Sequence, residues 1–225
     1  PGRPLWITET ADEACGGNPW AATFLDSFRY LNQLGTLARH GVQVVMHNTL
    51  NASDYGLLDE KTLEPRPNYW AALLWRRLMG TTVLDPGASH STNLHLYAQC
   101  ERHVPGGVTL LAINADRTRF EELSIAGPAN RYTLTAPHLQ GKWVRLNGKA
   151  LTLGKNDALP ALTGVSVRAG NVTLAPASIT FFTFGKAGNT ACKGNTCGCS
   201  WGRELAEAIQ TPSMQFFRSD WSSLI

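Results

Sequence analysis

The stretch Trp6-Ile-Thr-Glu-Thr10 closes an apolar run on a carboxylate, and a short turn carrying Gly16 and Gly17 follows at once. A charge in that place needs a reason, because burying an unpaired carboxylate is costly. If the run is the strand of a parallel β/α unit, Glu9 stands at its carboxyl end, where the loops of a binding mouth depart. A carboxylate there can serve as nucleophile or general base. The glycine pair would let backbone N–H groups approach a ligand closely. The residues alone leave a second reading open, in which Glu9 caps the next helix or pairs with an arginine. His47 and Asn48 hold the equivalent place after a second apolar run, Val42 to Met46. A lone histidine there is more often a structural hydrogen-bonder than an acid or base. Tyr55, in a polar loop, is a candidate to stack on a sugar ring, whereas Trp70 and Trp75 fall at helical spacing and are expected in the core. No nucleophile-elbow serine, phosphate loop or metal-ligand pair competes with Glu9.

The elements that must position these groups follow from hydrophobic period. Residues 4 to 10 read as a strand. Apolar positions at Trp20, Phe24, Phe28, Leu31 and Leu34 predict a helix over 20–40, ended by Gly41. Val42 to Met46 reads as a short strand buried on both faces. After a polar loop, Asn68 to Met79 reads as a second helix, with Arg76 and Arg77 in its last turn and Gly80 as its stop. Strand, helix, strand, helix is the alternation of parallel β/α architecture, but two strands cannot make a sheet with both faces covered. Beyond Gly80 the pattern becomes short β-like runs, with Asn147-Gly148 the dipeptide of a two-residue hairpin. That spacing is the signature of an antiparallel sandwich. From about Thr190 neither pattern continues, apart from a short helix near Arg203 to Ile209.

A chain of 225 residues with 43% hydrophobic and 16% charged residues can bury a sizeable core. Its net charge of +3 is scattered, which argues against nucleic acid or a membrane surface as partner. No apolar run approaches the roughly 18 to 20 residues that cross a bilayer. The chain starts at Pro1, so its compartment cannot be read from a leader. Five cysteines, Cys15, Cys100, Cys192, Cys197 and Cys199, lack the paired spacing of a zinc site. A single disulfide, with no metal, is the expectation. Asn51-Ala-Ser53 and Asn171-Val-Thr173 are formal glycosylation triplets.

The segments LWITETADEACGGNPW, HGVQVVMHNTLNASDYGLLDE and PNYWAALLWRRLMGTTVLD resemble the second half of glycoside hydrolase family 79, the heparanase and β-glucuronidase group. The resemblance runs from Pro4 to Cys192 and is densest in the first eighty-five residues. It implies an α/β plus all-β fold: the last two β/α units of a (β/α)8 barrel over 1–80, an antiparallel β-sandwich over 81–192, and a tail of unknown structure over 193–225. It also implies a retaining glycosidase for β-linked glucuronides that uses no cofactor, with Glu9 as nucleophile. Gly16 and Gly17 would offer amides to the sugar carboxylate, while Asn48, Asp54 and Tyr55 would line the cleft. Cys100 and Cys192 fall where the family has its sandwich disulfide, which favours a secreted or periplasmic protein. The implied partner is a glucuronic-acid-containing oligosaccharide or glycoside.

The family's acid/base Glu comes from an earlier barrel strand. None of Glu13, Glu60 and Glu64 sits at a suitable strand end, so these residues alone are expected to be inactive without further barrel strands. The stretch Ser89 to Asn93 lacks the basic cluster of heparanase and leaves room for an exo-β-glucuronidase. A rival expectation is a non-catalytic carbohydrate-binding or accessory protein in which Glu9 is dispensable. A third is a truncated gene product without function.

Overall fold

The structure is a computed structural model that describes residues 3–13 and 17–194. Gly16, Cys15, Cys197, Cys199 and the short helix expected near Arg203 to Ile209 lie outside the described residues. The described residues divide into two units: 3–77 with 132–163, and 78–131 with 164–194. A linear division at residue 80 therefore takes no account of the return of 132–163 to the first unit.

In the first unit, strands β1 (Leu5–Thr10) and β2 (Val42–His47) pair in parallel, with Trp6 opposite Val44 and Thr10 opposite His47. Helix α1 (Phe24–Arg39) connects them. This is the right length of crossover for parallel neighbours, which a tight turn cannot join. Among the described residues the two strands form a two-stranded sheet, and Leu5, Trp6 and Met46 are 55%, 46% and 45% exposed. The expectation that β2 is buried on both faces is thus not met here.

Helix α1 starts at Phe24, four residues later than the period of apolar residues predicts. Asn18 explains the delay: its Oδ1 accepts from the Trp20 N–H at 2.8 Å and its carbonyl from the Ala21 N–H at 3.1 Å, which holds 18–21 as a turn. Trp20 is consequently exposed, at 49%, while Phe24, Ser27, Leu31 and Leu34 form the buried face. The first two helical amides, on Phe24 and Leu25, donate to the carbonyls of Gly141 and Leu139 at 2.9 and 2.8 Å. The returning segment thereby satisfies donors that any helix start leaves unpaired.

Helix α2 (Pro67–Leu78) opens with a proline, whose missing N–H costs nothing at a first helical position. It buries Trp70, Ala71 and Leu74. Gly80 is not its stop, because the chain passes directly into β3 (Met79–Leu84). The reason for a glycine is closeness instead: a Cβ there would stand 2.5 Å from the Cys100 carbonyl oxygen.

The second unit carries β4 (Leu94–Glu101), β5 (Val108–Asn114), β6 (Glu121–Ile125), the first three residues of β7 (Ala129–Thr135), β10 (Val165–Val167), β11 (Gly170–Leu174) and β12 (Ser178–Phe184). The sheet order runs β3-β4-β5-β12-β7, antiparallel where β3, β4, β5 and β12 meet, and β6 pairs antiparallel with β11 as a separate ribbon. Alternate residues share a face, so Leu94, Leu96, Ala98 and Cys100 of β4 line up with Val108, Leu110 and Ala112 of β5 and Phe182 and Phe184 of β12. Leu123 and Ile125 of β6 and Leu174 of β11 close over that face. Cys100 and Cys192 form a disulfide across 92 residues.

Strand β7 crosses between units: Ala129 to Arg131 pair with β10, and Leu134 and Thr135 pair with β8 (Arg145–Leu146). The connection from β8 to β9 (Lys149–Ala150) is the two-residue hairpin that Asn147-Gly148 predicts, both residues having positive φ. Strands β10 and β11 are not foreseen from sequence. Both are short and polar in alternation, and their partners lie 34 to 53 residues away in the chain.

Candidate functional site

The carboxyl ends of β1 and β2 lie side by side, and that juxtaposition builds the site. The Asn48 N–H donates to the Thr10 carbonyl at 2.8 Å and extends the parallel ladder by one rung. The same residue's Nδ2 donates to Glu9 Oε1 at 2.8 Å. Two residues singled out separately in the sequence are therefore joined by a hydrogen bond that fixes one carboxylate oxygen and leaves an exposed side chain facing outward. A carboxylate held in one orientation at the end of a parallel pair can attack a carbon or take a proton.

His47 does something else. Its Nε2 donates to the Tyr55 carbonyl at 2.7 Å and its ring stands edge-on to Tyr30, with centroids 5.1 Å apart. Burial pushes its pKa below the ordinary imidazole value, so it stays neutral and fastens the following loop to the strand.

Gly17 and Tyr55 are also brought together. Gly17 has φ +76°, and a Cβ on it would come within 2.7 Å of Tyr55 Cδ1 and 3.3 Å of Asp12 Oδ1. Only glycine suits both the backbone and the space. Tyr55 is buried, 8% exposed, so it is a wall behind the glycine turn and not the open stacking platform its polar surroundings suggest. Asp54 is exposed and enters the loop's framework through its carbonyl, which accepts from Arg66 Nη1 at 2.6 Å. The same Nη1 takes the Ser53 and Gly56 carbonyls at 2.7 and 3.3 Å, so a buried guanidinium organises the whole turn. Asp59 closes it: the N–H groups of Thr62 and Lys61, with Arg66 behind them, hold its carboxyl down to about 2.

Several residues here escape the reading of the sequence. Asp12 accepts from Asn18 Nδ2 at 2.5 Å, and burial, together with the nearby Asp26 charge, raises its pKa while Arg29 acts the other way. On α1, Asp26 receives Arg29 Nε and Nη2 at 2.5 and 3.0 Å, Arg29 Nη1 donates to Gln33 Oε1 at 3.0 Å, and Gln33 Nε2 donates to Thr10 Oγ1 at 2.9 Å. Asn68, at the start of α2, donates to Asp26 at 2.6 Å and accepts from Ser27 at 2.8 Å. Asp26, Arg29 and Gln33 recur at i, i+3 and i+7 and so share one side of α1, a pattern that in sequence does not differ from an ordinary solvated face. Among the described residues no group of His, Cys, Asp and Glu is placed to hold a metal ion, and no helix is long and apolar enough to cross a membrane.

No family model matches the chain. It is 34% identical over 168 residues to the baicalin-β-D-glucuronidase of Scutellaria baicalensis, a match that covers 71% of this chain and 32% of that protein. It is 34% identical over 211 residues to mouse heparanase, covering 85% and 39%. It is 30% identical over 220 residues to human inactive heparanase-2, covering 86% and 37%. The chain thus spans well under half the length of these relatives. Among solved structures it is similar to a family 30 subfamily 8 xylanase from Clostridium acetobutylicum, with TM-score 0.54, 14% identity, and 80% of this chain and 42% of that one covered. A bifunctional glucanase-xylanase from a metagenome library gives TM-score 0.53 at 18% identity, covering 81% and 31%. These two are likenesses of fold alone.

Proposed function

Because the chain belongs to glycoside hydrolase family 79, the heparanase and β-glucuronidase group of glycosidases, we propose that it carries the nucleophile half of a retaining enzyme for β-linked glucuronides. The observation that carries this reading is the Asn48–Glu9 hydrogen bond at the carboxyl ends of two adjacent parallel strands. Glu9 forms a bond to the anomeric carbon as the glycosidic bond breaks, and a second carboxylic acid gives its proton to the departing oxygen. That second group then takes a proton from water, which displaces Glu9 and restores the free enzyme with retained configuration.

The second carboxyl must stand roughly 5 to 5.5 Å from the first. Glu13, Glu60 and Glu64 do not end strands. In this proposal the acid comes from a further barrel strand pairing with the β1–β2 sheet, and the exposure of Leu5, Trp6 and Met46 supports such a neighbour. The first unit is then the last part of a (β/α)8 barrel and the second an antiparallel sandwich. The amides of Gly16 and Gly17 receive the sugar carboxylate, Asn48 and Asp54 line the cleft, and Tyr55 backs the glycine turn that forms its wall. The chemistry calls for no cofactor. The Cys100–Cys192 disulfide favours an oxidising compartment, so the protein is secreted or periplasmic.

A second reading, a non-catalytic binding or accessory protein, is favoured by one observation: a relative at 30% identity bears the name inactive heparanase-2. The two readings part on Glu9. In the full-length protein an activated 2-fluoro glucuronide is expected to label Glu9, found by peptide mass spectrometry, and Glu9→Gln is expected to abolish turnover. Turnover that survives Glu9→Gln removes the first reading. Saccharide binding without labelling or turnover establishes the second.

A further inference from the structure

We propose that Gln33 and Thr10 form a positioning device for Glu9, anchored by the Arg29–Asp26 pair and acting through the residue that follows the carboxylate. The inference rests on the reading of Glu9 as nucleophile and adds to it the residues that hold it in place.

Thr10 is the junction. Gln33 of α1 reaches the Thr10 hydroxyl, while the adjacent Glu9 side chain reaches Asn48 at the end of β2. The hydroxyl oxygen of Thr10 receives Gln33 Nε2 at 2.9 Å, while its carbonyl receives the N–H of Asn48 at 2.8 Å. Asn48 in turn donates to Glu9 Oε1. Gln33, Thr10, Asn48 and Glu9 therefore make one connected frame in which both neighbours of the carboxylate, in sequence and across the sheet, are tied down.

The direction of the chain is not arbitrary. Arg29 can only donate, so the Gln33 oxygen must face it at 3.0 Å and the Gln33 amide nitrogen must face Thr10. Arg29 itself is set by the fork it makes with Asp26, a buried carboxylate that Asn68 of α2 also holds at 2.6 Å. The orientation imposed at the start of α2 is thus passed through two helices to the residue after Glu9. A reacting carboxylate must sit within a fraction of an ångström of its productive place, and displacement of about 1 Å is enough to cost about 100-fold in rate.

The test uses the full-length protein and isosteric changes. Thr10→Val removes only the hydroxyl, Gln33→Leu only the amide, and Thr10→Ser keeps the hydroxyl. The rate of Glu9 labelling by the activated 2-fluoro glucuronide and kcat are expected to fall about 10-fold or more in Thr10→Val and in Gln33→Leu, with KM within about twofold. The double variant is expected to be no slower than the worse single variant, and Thr10→Ser to keep most of the wild-type rate. Melting temperature, measured beside the rates, separates folding from positioning. Variants that melt lower yet label at the wild-type rate, or single effects that multiply in the double variant, overturn the proposal. If the wild type itself is not labelled, the glycosidase reading fails and takes the positioning role with it. That result differs from one in which the wild type reacts and the variants react equally well.

Discussion

At the scale of single residues, Glu9 and Asn48 divide the work of one group between two strands. Deleting a hydrogen bond to a charged acceptor costs about 1.5 to 3 kcal/mol. Asn48→Ala is therefore expected to lower kcat/KM by about 10-fold to 100-fold in the full-length protein, measured with an aryl glucuronide, with little change in melting temperature because the side chain lies at an exposed rim. Gly17 makes a different demand. A side chain at φ +76° with Tyr55 Cδ1 only 2.7 Å from its Cβ combines backbone strain with collision. Gly17→Ala is expected to lose about 1 to 2 kcal/mol of stability from the backbone alone, more if Tyr55 cannot yield, and to raise KM for acidic sugars more than for their neutral glucosides. Thermal melts and the two KM values check both parts. Glu9, Asn48 and Gly17 are legible in the sequence because a charge, an amide and a glycine interrupt apolar or turn patterns. Asp26, Arg29 and Gln33 are not, since a polar residue on a helix normally belongs to a solvated face, and only the third dimension turns these three towards β1.

Among the elements, the strands of the second unit read clearly where apolar residues alternate, as in β4, or run through a stretch buried at every residue, as in β5 and β12. They fade where burial is one-sided and short, as in β10 and β11. The start of α1 is misread because Asn18 recruits Trp20 and Ala21 into a turn, a local polar capture that periodicity cannot see. At the end of β4, Glu101 is the outlier. Burial pushes its pKa up to about 7, with Thr183 hydrogen-bonding to it as the one opposing influence. The folded state therefore holds a proton that the unfolded chain has released between about pH 4.5 and 7, so the group's contribution to stability is present below that window and is lost as pH rises through it. Glu101→Gln is expected to melt higher than the wild type at pH 8 and at the same temperature near pH 4. A wild-type advantage at pH 8 would contradict this.

For the whole molecule, the alternation of strand and helix in the first eighty residues and the β-rich remainder are evident from sequence. The return of 132–163 to the first unit is not. That return depends on carbonyls at Leu139 and Gly141 meeting helix amides more than a hundred residues earlier, a pairing of backbone groups that side-chain identity does not encode. The open β1–β2 pair has a consequence for handling. With Leu5, Trp6 and Met46 about half exposed, residues 1–225 expressed alone are expected to show no glucuronide turnover and to self-associate, seen by light scattering against the full-length protein.

The disulfide joins residues on either side of the whole excursion through the first unit, since Cys100 precedes Tyr132 and Cys192 follows Thr163. Everything between those cysteines is a covalent ring. A protease that nicks the exposed stretch 154–159 therefore severs the backbone without creating two molecules: the pieces migrate together on a gel until a reductant parts them.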